Sequence, residues 1–120
     1  MSNKTILVID DEPDVLTSLI QSLVYFGYDI ITASDGMEGL KKLEAGGYDL
    51  VITDIVMPYV SGVGVVSALK KKMPEIPVIC ITGFGKEPES AAIEKQADLV
   101  LSKPVKMAVL NEHIKELLRV

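Results

Sequence analysis

The sequence predicts a three-layer α/β domain with a doubly wound parallel sheet. Apolar strand-like runs alternate with helically spaced apolar residues five times along the chain. Ile6-Leu7-Val8-Ile9, Leu50-Val51-Ile52 and Val78-Ile79-Cys80-Ile81 are continuous rather than alternating, the pattern of strands covered on both faces. The 120 residues are 48% apolar, which suffices for one sizeable core and argues against disorder.

The elements follow in order. Thr5–Asp10 reads as a buried strand. Pro13–Phe26 reads as a helix, with Val15, Leu16, Leu19, Ile20, Leu23 and Phe26 at helical spacing, Asp11-Glu12-Pro13 as its start signal and Gly27 as its stop. Tyr28–Ala33 is a more polar strand, suited to a sheet edge. Gly36–Ala45 is a short helix ended by Gly46-Gly47, and Asp49–Asp54 is the third strand. Ser61 or Gly62 opens a helix to about Met73, beyond which Pro74 and Pro77 forbid continuation. Ile76–Thr82 is the fourth strand, Glu87–Gln96 a short helix with a thin apolar face, and Asp98–Ser102 the fifth strand. Val105–Leu118 is the last helix, with Leu110, Ile114, Leu117 and Leu118 inward. Right-handed crossovers restrict how such units connect. No internal repeat, linker or low-complexity stretch interrupts them, and residues 1–120 read as a single domain with no output domain visible.

Charge and cysteine usage exclude several classes of function. The formal net charge is −5, a poor balance for gripping nucleic acid or an anionic membrane directly. Lys70-Lys71-Lys72 is the one basic cluster and reads as the solvated end of a helix. Cys80 stands alone inside an apolar run, so it reads as a small buried hydrophobe rather than a catalytic thiol. The segment before the first strand is too short for a signal or membrane-spanning stretch. These features predict a reduced, cytoplasmic, soluble protein.

Four strand-like runs end on residues that chemistry uses. The first ends on Asp10-Asp11, the third on Asp54, the fourth on Thr82 and the fifth on Lys103. In open parallel sheets, ligands sit beyond the carboxyl ends of the strands, where strand order reverses. Gathered there, the three carboxylates repel one another, a tension that a hard cation such as Mg²⁺ relieves through oxygen ligands. Asp54 is the candidate nucleophile, because a carboxylate can accept a phosphoryl group as an acyl phosphate. Thr82 supplies a hydroxyl for one phosphoryl oxygen and Lys103 an ammonium for another. Taken singly, each residue has a plainer role: a helix cap, a turn former, surface lysine. Capping needs only one of the three acids that precede Pro13, however, and it leaves Asp54 unexplained. Gly62-Val63-Gly64 is no dinucleotide fingerprint, since it opens the third helix and lacks the last glycine. Met37, Met73 and Met107 read as packing filler, Met57 as packed against its own loop, and His113 as a partly packed or solvent-facing residue.

Over essentially its full length the chain resembles the receiver domain of two-component response regulators. The resemblance rests on Val8-Ile9-Asp10-Asp11-Glu12, on Asp54-Ile55-Val56-Met57-Pro58 with Gly62 eight residues after the acid, and on Ile81-Thr82-Gly83 and Lys103-Pro104. It implies a flavodoxin-like fold of five strands in the order 2-1-3-4-5 with five helices. It implies Asp54 as phosphoacceptor, with Mg²⁺ held by Asp11, Asp54 and the backbone carbonyl of Val56, and by Asp10 largely through water. Lys103 would pair with the phosphoryl group and Thr82 would swing toward it, and the Lys103–Pro104 peptide is often cis in such domains. The donor would be a phosphohistidine on a histidine kinase or histidine phosphotransfer protein. The signal would pass to a downstream protein or an attached output domain, with a dimer formed on modification. The domain would catalyse its own phosphorylation, and the fourth helix, fifth strand and fifth helix would carry the changed surface.

The chain departs from this pattern in places. Val100 stands where many receivers carry Tyr or Phe, which breaks the coupled threonine–aromatic switch and leaves Phe84 as a substitute mobile aromatic. Gln96 stands where Gly is frequent, and the Thr82–Lys103 stretch is slightly short. Val56 cannot orient an attacking water, which predicts slow loss of the phosphoryl group. Three other functions compete: a receiver excised from a hybrid kinase or transcription factor, an unphosphorylated interaction module, and a hydrolase with an aspartyl-phosphate intermediate. Val56 argues against the last, since such enzymes need an acid there. A flavodoxin-like electron carrier is disfavoured by Asp10-Asp11-Glu12, which would repel a flavin phosphate.

Overall fold

The computed structural model describes residues 3–57, 60–83 and 96–120. Its elements are β1 (Thr5–Ile9), α1 (Pro13–Tyr25), β2 (Asp29–Ala33), α2 (Gly36–Ala45), β3 (Leu50–Asp54), α3 (Gly62–Lys72), β4 (Val78–Thr82), β5 (Leu99–Ser102) and α4 (Met107–Leu118). All strand pairs are parallel, in the order β2-β1-β3-β4-β5. The expected boundaries hold to within two residues. The helix expected at Glu87–Gln96 falls outside the described residues apart from Gln96, which lies in a turn; Phe84 lies outside them too.

The period-2 geometry of a strand splits each apolar run between two cores. Leu7, Ile9, Val51, Val78 and Cys80 face the side packed by α2 and α3, together with Leu43, Val65, Val66 and Leu69. Ile6, Val8, Leu50, Ile52, Ile79 and Ile81 face α1 and α4, together with Leu19, Leu23, Leu110 and Ile114. This is why the central runs are apolar at every position. The edge strand β2 shows the weaker burial its composition predicts. Of the methionines, Met57 is buried but Met37 is half exposed, so Met37 is not the packing filler expected of it.

One charged clamp was hidden in the lysine cluster. Lys71 and Lys72 are exposed, as expected of a solvated helix end, with Lys72 in a surface ion pair with Glu44 at 2.7 Å. Lys70 instead reaches Asp98 Oδ2 at 2.7 Å and donates to the Ile76 carbonyl at 2.9 Å. Asp98 Oδ2 also accepts the Val78 amide at 2.8 Å. The carboxylate therefore ties the end of α3 to the entry of β4 and β5. Asp98→Ala strands both an amide and an ammonium, and should cost about 2 kcal/mol in urea unfolding; a loss under about 0.5 kcal/mol would mean the clamp contributes nothing.

Candidate functional site

The carboxyl edge of the sheet brings Asp10, Asp54, Thr82 and Lys103 together. Register does this. Ile9 sits beside Thr53 and Asp54 beside Ile81, while Thr82 sits beside Ser102, with Lys103 next along the chain. The Lys103 amide donates to the Thr82 carbonyl at 2.8 Å, extending the β4–β5 ladder by one step. Thr82 is buried at the strand end. The Lys103–Pro104 peptide is cis.

The acids are not consumed by helix capping. The backbone of Glu12 takes the N-cap position of α1 and Pro13 the first turn, but no side chain caps the helix there. The Asp10 carboxylate accepts the Glu12 amide at 2.9 Å, which fixes it at the sheet edge. Asp10 and Asp54 are almost wholly buried, at 1% and 4% exposure. Oxygens of Asp10, Glu12 and Asp54 lie within 4.8 Å of one another. Asp11 stands outside that triad and is half-buried, but its charge still acts on Asp54. In the sequence Glu12 belongs to a helix start and to the acidic motif Asp10-Asp11-Glu12, with no site role of its own. Its proximity to Lys103, 91 residues away, has no local signal.

Lys103 Nζ lies 3.1 Å from Glu12 Oε1 and 3.5 Å from Asp54 Oδ2. Burial pushes the Asp10 carboxyl up to about 6, against the pull of the Glu12 amide, and the neighbouring Asp54 charge adds to the rise. Burial also raises Asp54, opposed by Lys103 and by the Ile55 amide. For Lys103, burial alone would lower the ammonium's pKa; its hydrogen bond to Glu12 and the charges of Asp54 and Asp10 outweigh it, and the net shift is upward.

The loop after β3 folds back through a glycine. The Gly62 amide donates to the Ile55 carbonyl at 2.7 Å, and a Cβ on Gly62 would overlap the Asp54 carbonyl oxygen and come within 2.7 Å of Ile55 Cα. Any larger residue at position 62 would displace the backbone that carries Asp54. Thr53 Oγ1 donates to the Asp54 carbonyl at 3.0 Å and steadies the same peptide. Val56 is 53% exposed. Val100 is half-buried and packs against the core cluster on the α2 and α3 side of the sheet, so its position is a wall of the core. Burial pushes the Cys80 thiol up to about 12, which fits an inert thiol.

The triad of hard oxygen donors suits a small divalent cation that keeps several waters. A groove of about 370 Å³, walled by Val15, Leu19, Pro104, Val105 and Met107, has Lys103 in its lining. Among the described residues no helix is long and apolar enough to cross a membrane.

A flavodoxin-like α/β domain with an acid pocket, a hydroxyl and an ammonium at its switch point is the class defined by fold and site. Residues 6–115 match the family model of the response regulator receiver domain, and the chain belongs to that family. It is a receiver domain of the two-component signal-transduction type. It is 37% identical over 118 residues to the alkaline phosphatase synthesis transcriptional regulatory protein PhoP of Bacillus subtilis, covering 98% of this chain and 49% of that protein. The chain spans about half the length of the first curated relatives it matches. A CheY-like response regulator receiver domain protein from Methanospirillum hungatei superposes with a TM-score of 0.92 at 34% identity, covering 98% of this chain and 95% of that one. The response regulator TrrA of Thermotoga maritima, solved in complex with Mg²⁺ and BeF, superposes at 0.86 with 38% identity, covering 95% and 98%.

Proposed function

We propose that this domain accepts a phosphoryl group on Asp54 from a partner's phosphohistidine, in a Mg²⁺-dependent transfer that the domain itself catalyses. The convergence of Asp54 with Asp10, Glu12 and Lys103 at one edge of the sheet carries this reading. An Asp54 oxygen attacks phosphorus as the donor's P–N bond breaks, and the imidazole leaves with the electron pair and takes up a proton. The Lys103 ammonium neutralises one phosphoryl oxygen and the Thr82 hydroxyl bonds another. Mg²⁺, held by Asp10, Asp11, Asp54 and the Val56 carbonyl, would supply positive charge to the remaining oxygens. The groove that Lys103 helps to line is the approach for the donor.

The acyl phosphate biases two conformations by no more than the difference in how well they hold it. Its readout is a downstream protein, an attached output element or a second copy of the domain. PhoP is named as a transcriptional regulatory protein and is about twice this length, which favours an output element beyond residues 1–120, a single receiver module on this reading. Such a relay places the domain in the cytoplasm, without direct contact with nucleic acid or membrane.

Incubation with Mg²⁺ and a small phosphodonor such as acetyl phosphate tests the reading. Intact mass should rise by one phosphoryl group, mapped to Asp54. An unchanged mass, or modification elsewhere, would refute it. The lifetime is a separate prediction. Val56 presents an aliphatic side chain at the position from which a water would be oriented, so the phosphorylated form decays slowly; Val56→Asn should shorten its half-life severalfold, and an unchanged decay would exclude the side chain as the cause.

A further inference from the structure

Glu12 has a local role its position would predict and does not fill. It stands at the N-cap of α1 without capping through its side chain, and instead holds Lys103 Nζ at 3.1 Å, closer than Asp54 does at 3.5 Å. The ammonium thus sits between two carboxylates and leans to the outer one. Both it and a divalent cation seek the Asp54 oxygens. If Asp54 were the ammonium's sole close anion, the pair would close and cover the oxygens that a metal and a phosphorus atom must reach.

Building on the assignment of Asp54 as the Mg²⁺-dependent phosphoacceptor, we propose that Glu12 is a positioning residue. It parks the Lys103 ammonium off Asp54 in the resting domain and releases it when a phosphoryl group arrives. Glu12 then raises metal affinity through Lys103, not only as one more negative charge. Its carboxylate is well exposed, so its replacement does not threaten the fold.

Isothermal titration of the metal-free domain with Mg²⁺ separates the two roles. The proteins are wild type, Glu12→Gln, Lys103→Met and the double variant. Parking predicts that Glu12→Gln weakens binding by at least about fivefold when Lys103 is present, and by less than about twofold in the Lys103→Met background. Equal losses in both backgrounds would make Glu12 a simple charge or a direct ligand and overturn the proposal. Glu12→Asp keeps the charge but is one methylene too short to hold the ammonium. Behaviour like Glu12→Gln supports parking, and behaviour like wild type refutes it. A wild-type domain that takes up no Mg²⁺ would remove the phosphoacceptor assignment itself, an outcome distinct from a missing coupling.

Discussion

Asp54→Asn will abolish the response to beryllofluoride while leaving the fold intact. With Mg²⁺ and the mimic at about a hundredfold excess over Kd, the wild-type domain should gain about 2.7 kcal/mol. That corresponds to a rise of roughly 10 °C in Tm for a domain of this size. Asparagine keeps the shape of the side chain and an acceptor toward the Ile55 amide, but it has no anionic oxygen to bind beryllium or attack phosphorus. It also removes a buried carboxylate whose charge burial disfavours, so the variant without ligand should melt no lower than wild type. Melts with Mg²⁺ alone, with Mg²⁺ plus the mimic, and with neither decide the matter. A variant that keeps the wild-type shift with the mimic would place the reacting group elsewhere.

The fold was legible because each layer leaves its own mark in composition. β1, β3 and β4 are apolar at consecutive positions because α2 and α3 cover one face and α1 and α4 the other. The polar β2 lies at the edge. Strand ends were legible because parallel strands point one way, so the residue after each run shares an edge with the others. Asp10, Asp54, Thr82 and Lys103 meet there for that reason alone, before any likeness to other proteins is invoked.

Partnerships made by long side chains left no such mark. Lys70 lies in a run of three lysines that composition cannot separate, and only the path of β5 past the end of α3 puts Asp98 within its reach. Glu12 looks like a helix start because an acid before Pro13 usually is one. Its side chain goes to Lys103 because the β5–α4 connection passes beside α1, a fact of tertiary geometry. Likewise Gly62 is a helix-opening residue in sequence. The close approach of the Asp54 carbonyl that forbids a side chain there is visible only in three dimensions.

The acid pocket stores an electrostatic cost, and Asp10→Asn should expose its size. Desolvation is the main cause that lifts the Asp10 carboxyl from its ordinary 3.8 to about 6 in the folded state. A group whose folded pKa exceeds its unfolded one holds its proton longer when folded. Its contribution to stability is therefore complete below about pH 4, declines as pH rises through the window to about 6, and is absent above it. The difference amounts to about 3 kcal/mol lost by pH 7. Asp54 shifts in the same direction and reinforces the trend. The metal-free domain should thus become more stable on acidification from pH 7 toward 5, against the usual behaviour of carboxylates paired in the native state. Asp10→Asn keeps an oxygen for the Glu12 amide but carries no charge, so it should stabilise the metal-free domain at pH 7 by about 2–3 kcal/mol and flatten that pH profile. The same variant should lose most of the stabilisation by Mg²⁺, since the charge that strains the pocket is the charge that binds the ion. Urea melts at pH 7 and pH 5, with and without Mg²⁺, read both effects at once. If Asp10→Asn is less stable than wild type at pH 7 without metal, the carboxylate is held by compensating contacts and the pocket is not strained.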